Sequence, residues 1–219
     1  LSNRQLFLSN VAQTSELPLL LEIDRAEGVH IYDINGKEFL DLNSGISVSS
    51  LGHCHPNVVS AIRKQSETHL HTMVYGEHIQ LPQIQYSNFL LSQVADKYES
   101  IYYLMSGTEA VELACKIAKK STRRYNLISC RNAYHGSTYG AESLRSDLNY
   151  KSSFYPLLPG ISHINFNRLE DLESIDVKTA AVIVEAVQGE AGIVLPEKPF
   201  LKRLEARCNE VGAIFILDE

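Results

Sequence analysis

Four short stretches of the chain hold residues whose types and spacing could do chemistry at one place. In "YYLMSGTEAVELACKIAKK", Ser106, Gly107 and Thr108 stand just before a run of helical periodicity. Such a turn offers free backbone N–H groups and the positive end of a helix dipole, and a glycine lets an anion approach the backbone, so a phosphate would fit. Ser106 and Glu109 also have the spacing of a capping box, which needs no ligand. In "CRNAYHGSTYG", Tyr134 and His135 precede Gly136. They can form a flat surface against a planar ring, or be two ring side chains in an ordinary loop. "AAVIVEAVQGEAGIVLP" sets Glu185 at the end of an apolar run, with Gln188 and Glu190 in the polar loop that follows; Glu185 can face a ligand or cap a helix. "AIFILDE" repeats the pattern with Asp218. A charged carboxylate at the end of a buried strand is costly without a cationic partner, which a ligand or a side chain can supply.

The elements that must position these residues follow from hydrophobic periodicity. Short apolar runs at 101–105, 126–130, 161–166, 180–185 and 213–218 read as strands, and "EAVELACKIAKKSTRR", "LEDLESI" and "PFLKRLEARCNEVG" read as helices between them. This alternation predicts an α/β domain with a largely parallel sheet. All four chemical stretches then fall at the C-terminal ends of strands, the edge where open parallel sheets bind ligands. Ahead of it, "GVHIYDINGKEFLDLNSG" alternates apolar and polar residues around Asn35-Gly36, a strong hairpin signal. Pro56 suits the first turn of one helix, and a second is expected over residues 81–98. The expected organisation is a small N-terminal α+β lobe at 1–50 and a large domain from 51 to 219.

Bulk properties remove other classes. The chain has 219 residues, enough for one large core. With 20 Lys+Arg against 26 Asp+Glu and no basic stripe, nucleic acid is not an expected partner. The longest apolar runs are far too short for a bilayer, so no membrane partner is expected and a cytoplasmic location is. Cys54, Cys115, Cys130 and Cys208 lack CxxC spacing, which suits reduced thiols in a cytosolic enzyme. "GHCHP" has metal-competent side chains, but no second ligand pair follows at zinc-like spacing; the stretch reads as the turn before a helix, and no metal is expected. No G-x-S-x-G elbow, Walker motif or G-x-G-x-x-G pattern is present.

Together the stretches "YDINGKEFLDLNSGISVSSLGHCHPNVVSAI", "MSGTEAVELACKIAK", "YHGST", "VEAVQGEAGI" and "AIFILDE" resemble the class III (ω-amino acid) aminotransferases, fold type I enzymes dependent on pyridoxal phosphate, and within them the ornithine and acetylornithine types. The resemblance runs from about residue 28 to the end. It implies that Ser106, Gly107 and Thr108 hold the cofactor phosphate through backbone N–H groups and a hydroxyl. Tyr134 would stack on the pyridine ring with His135 beside it, Asp218 would pair with the ring nitrogen, and Glu185 would support the site. Glu190 and Ser137 would lie on the substrate side. Ser137 stands where ornithine-, acetylornithine- and 4-aminobutyrate-type members usually carry an arginine for a substrate carboxylate, and a serine lacks the guanidinium fork.

The same resemblance implies amino transfer from an ω-amine or amino acid donor to a 2-oxo acid, 2-oxoglutarate above all, by a ping-pong cycle in a homodimer of the complete protein. The family's Schiff-base lysine is expected beyond Glu219, so the chain reads as an N-terminal part that is inactive alone. Another class III chemistry (aminomutase, racemase or decarboxylase), a non-catalytic relative and a nucleotide-using enzyme are the alternatives.

Overall fold

A computed structural model describes residues 1–73 and 76–219, which form two compact units, Leu1–Gln93 and Val94–Glu219. The first unit begins with α1 (Asn3–Asn10), capped by Ser2. Strands β1 (Ile23–Glu27), β2 (His30–Asp33) and β3 (Glu38–Leu40) follow as an antiparallel sheet of order β1-β2-β3. The expected hairpin is the β2–β3 connection. Asp33 Oδ1 accepts the N–H groups of Asn35 and Lys37, each at 2.9 Å, and Gly36 takes the left-handed φ of 79° that the turn demands. The Lys37 N–H is the main reason that the Asp33 carboxyl lies below its ordinary pKa.

After the single turn α2 (Ser44–Ser47), the "GHCHP" segment is tied back to the hairpin. Gly28 and His53 exchange two backbone hydrogen bonds, and His53 Nε2 lies 2.7 Å from Asp41 Oδ2. Pro56 then opens α3 (Pro56–Thr68), and α4 (Leu81–Leu91) completes the unit. α4 is shorter than the expected 81–98. Ser92 turns its hydroxyl back onto the Phe89 carbonyl at 2.7 Å, giving the backbone an alternative to continued helix.

In the second unit, α5 (Gly107–Thr122) leads into β4 (Asn126–Cys130), α6 (Tyr139–Ser143), α7 (Leu148–Lys151), β5 (Ile161–Ile164), β6 (Thr179–Glu185), α8 (Phe200–Val211) and β7 (Ile214–Asp218). The four strands are all parallel, in the order β5-β4-β6-β7. β6 is buried at every residue, as its unbroken apolar sequence predicts for a strand covered on both faces. Its side chains alternate between two cores: Ala181 and Ile183 pack with Val111, Cys115 and Ala118 of α5, while Val182 and Val184 pack with Phe200, Leu204 and Cys208 of α8. By the same two-residue period, Glu185 and Asp218 emerge on the α5 face.

Two expectations in this unit are corrected. Residues 101–105 are not a strand: the sheet ends at β5 and β7, and the apolar segment has no sheet neighbour among the described residues. "LEDLESI" is a 3₁₀ segment, Leu169–Ser174, too short for a regular helix between β5 and β6.

Candidate functional site

At the C-terminal edge of the sheet lies a cleft of about 780 Å³, lined by Gly107, Thr108, the Tyr134–Ser137 loop, Glu185, Gly189 and Asp218. One wall is the start of α5. Ser106 is the extended N-cap, and its Oγ accepts the Glu109 N–H at 3.4 Å. The capping box is only half formed, because Glu109 Oε2 takes the N–H of Met105, at 2.9 Å, in place of that of Ser106. The N–H groups of Gly107 and Thr108 open the helix and meet no acceptor among the described residues. They are two oriented donors at the positive end of a 16-residue helix.

Thr108 contributes less than the sequence suggests. Its Oγ1 lies 2.8 Å from Thr138 Oγ1 and accepts the Thr138 N–H at 3.3 Å, while the Thr138 hydroxyl is directed to Glu112 Oε1 at 2.6 Å. The Thr108 hydroxyl is therefore spent inside the protein, leaving its N–H and the Ser106 hydroxyl for an anion.

The opposite wall is the loop after β4, gripped by two carboxylates. Glu185 and Asp218 are register partners at the ends of adjacent parallel strands. Glu185 Oε2 accepts the Tyr134 N–H at 3.3 Å and Oε1 the Gly189 N–H at 3.2 Å. Burial pushes the Glu185 carboxyl above its ordinary pKa; the two N–H groups and His135 oppose that shift, and the neighbouring Asp218 adds to it. Asp218 Oδ2 lies 2.7 Å from Nδ1 of His135, whose side chain is fully buried. The second Asp218 oxygen meets no donor, and His135 Nε2 has no partner, among the described residues. Tyr134 is partly exposed to the cleft, its hydroxyl 3.1 Å from Ser137 Oγ, and the Arg145 guanidinium lies 5.3 Å from its ring centre.

Seven of the residues picked from sequence thus border or frame one cleft: Gly107, Thr108, Tyr134, His135, Ser137, Glu185 and Asp218. Ser106 supports it as the helix cap. Glu190 is exposed and does not line the cleft. Gln188 holds the strand exit by pairing with Val194 and donating from Nε2 to the Arg131 carbonyl at 3.0 Å, which sends Glu190 into the outer turn. Sequence reasoning missed Glu112, Thr138 and Arg145. Only Glu112 left a signal, standing four residues after Thr108 and so on the same helix face.

The arrangement suits a flat ligand that is anionic at one end and cationic within its ring. Free N–H donors await the anion, Tyr134 offers a ring face, and Asp218 lines the cleft with one oxygen unshared.

A family model described as "Aminotransferase class-III" matches residues 11–219. Acetylornithine aminotransferase of Methanopyrus kandleri is 39% identical over 196 residues, covering 88% of this chain and 49% of the relative. The ornithine aminotransferase of Toxoplasma gondii, in a structure described as having partial occupancy of PLP at its active site, superposes with a TM-score of 0.87 at 29% identity, covering 97% of this chain and 51% of that one. Adenosylmethionine-8-amino-7-oxononanoate aminotransferase of Methanocaldococcus jannaschii gives a TM-score of 0.91 at 27% identity, covering 99% and 54%. The chain spans about half the length of the curated relatives it matches.

Proposed function

The chain belongs to the class-III aminotransferase family, and we propose that the protein it represents binds pyridoxal 5′-phosphate in the cleft and transfers an amino group from an ornithine-, acetylornithine- or 4-aminobutyrate-like donor to a 2-oxo acid, 2-oxoglutarate above all. One observation carries the reading: the α5 N-terminus, the Tyr134 ring and a carboxylate held by a buried histidine converge on one cleft at the sheet edge. The cofactor, when bound, supplies an electron sink for the carbanion left when a substrate proton departs, and a protonated ring nitrogen makes that sink stronger.

On this reading Gly107 and Thr108 bind the phosphate through their N–H groups, assisted by the Ser106 hydroxyl. Tyr134 packs against the ring. The free oxygen of Asp218 faces the ring nitrogen and keeps it protonated, while His135 holds the carboxylate in place through Nδ1. Glu185 acts on the backbone, fixing Tyr134 and Gly189. Ser137 belongs to the substrate side of the cleft, whereas Glu190 stands in the turn outside it. Ser137 is close enough to Tyr134 to share a hydrogen bond with it and offers a hydroxyl to the donor, not a guanidinium fork. Residues 51–219 form part of the large domain in this account. The complete cycle is ping-pong, run by a cytoplasmic homodimer for which the exposed apolar residues of the first unit supply contact surface. Among the described residues, no helix is long and apolar enough to cross a membrane.

Incubating the full-length protein and cofactor with each donor and 2-oxoglutarate tests this reading. Glutamate should form in step with the donor's aldehyde or oxo acid. Donor isomerisation, racemisation or decarboxylation without glutamate would assign a different chemistry to the same cleft.

A further inference from the structure

Thr108 and Glu112 stand one helical turn apart on α5, and the loop from Tyr134 to Ala141 runs along that face. It is fastened there repeatedly. Thr138 meets the Thr108 hydroxyl through both its N–H and its Oγ1, at 3.3 and 2.8 Å. Glu112 Oε1 then collects three donors from the loop and the first turn of α6: the Thr138 hydroxyl at 2.6 Å, the Gly140 N–H at 2.8 Å and the Ala141 N–H at 3.2 Å. Two glycines allow the close approach. A Cβ on Gly136, where φ is 118°, would fall 2.2 Å from Thr108 Oγ1, and one on Gly140 would fall 2.2 Å from Glu112 Oε2. The seam joins the two halves of the cleft, since α5 carries the anion donors at one end and the loop carries Tyr134 and His135.

We propose that Glu112 is a positioning residue that fixes the anion-binding start of α5 relative to the Tyr134–His135 surface, so that a phosphorylated planar ligand meets both at once. The inference rests on the cofactor reading above and adds to it a residue that does not line the cleft. A ligand that spans two half-sites gains over its separate fragments only if the half-sites are held at the right separation. Glu112 supplies that constraint through hydrogen bonds to a charged acceptor, the stronger kind.

The test titrates full-length protein with three probes: pyridoxamine 5′-phosphate, which engages both half-sites without forming a covalent bond to lysine, and inorganic phosphate and pyridoxamine, which engage one each. In E112A the affinity for pyridoxamine 5′-phosphate should fall about 30-fold or more, while each fragment changes by less than about 3-fold. E112Q, whose amide oxygen can accept the same three donors, should stay within about 3-fold of wild type for all probes. T138V removes the hydroxyl that links Thr108 to Glu112 at nearly constant volume and should show the same pattern more weakly, and it decides the matter if E112A does not fold. The inference is overturned if the loss for pyridoxamine 5′-phosphate in these variants is no larger than the product of the losses for the two fragments. A wild-type protein that binds pyridoxamine 5′-phosphate no better than inorganic phosphate overturns the cofactor reading instead, and this inference with it.

Discussion

No described residue of the first unit is buried, whereas β6 in the second is buried along its whole length. Both units have apolar sequence and regular elements, so composition does not separate them. The parallel sheet does. It presents two apolar faces, and α5 and α8 cover one each. The three-stranded hairpin sheet of the first unit gathers no such layers, and its helices keep Val58, Ile62, Leu81 and Phe89 exposed. A small sheet without a covering layer is marginal, and large exposed apolar patches mark surfaces that meet other protein. Chemistry follows the core: the carboxylates and helix end that define the cleft all belong to the unit that packs itself.

The widest predicted difference is in backbone protection. Amides of β6 should exchange at least about a thousandfold more slowly than those of α3 and α4 in this chain, measured by hydrogen exchange with mass spectrometry. Equal protection would break the comparison. Core truncation should follow the same division: F200A, which empties a fully buried site against Phe166 and the α8 core, should cost about 3–5 kcal/mol in denaturant unfolding. I62A should cost within about 0.5 kcal/mol in this chain. If the I62A cost instead grows with protein concentration, a second copy covers that face, which would sharpen the contrast.

The thiols report the same division chemically. Burial pushes Cys115 up to about 11 and Cys130 and Cys208 up to about 12, while Cys54 in the first unit is exposed. A disulfide reagent at neutral pH should therefore modify Cys54 quickly and the other three only on unfolding. Rapid modification of Cys130, at the heart of the sheet, would contradict the packing.

How much of this was legible in the sequence depends on the range of the interaction. β6 could be read from its own residues, because burial on both faces leaves a continuous apolar run; β7, at the sheet edge, was legible from a similar apolar run although none of its residues is fully buried. The hairpin could be read from Asn35-Gly36 because turn geometry is local. Residues 101–105 could not, since being a strand requires a neighbour. The Glu112 seam pairs α5 with residues 26 to 29 positions onward, and no local pattern encodes it. The outward course of Glu190 depends on Gln188 reaching Arg131, 57 residues away.

The smallest expected effect concerns Glu185. Its carboxyl titrates above the ordinary 4.5 because it is buried, so the folded state holds that proton more tightly than the unfolded chain. The stability this group contributes is full below 4.5 and is lost as pH rises through the raised folded value. A carbon-13 titration of the side chain should place the midpoint above 4.5, and a midpoint at or below 4.5 would mean that the Tyr134 and Gly189 N–H groups outweigh burial.

Asp218 is proposed to hold a cationic ring nitrogen. The nitrogen-15 spectrum of ring-labelled pyridoxamine 5′-phosphate bound to the full-length protein tests it most directly. The account predicts a protonated ring nitrogen in the wild-type complex at a pH where the free ligand's nitrogen is neutral, and loss of that proton in D218N. A neutral nitrogen in the wild-type complex, or a protonated one that persists unchanged in D218N, would contradict it.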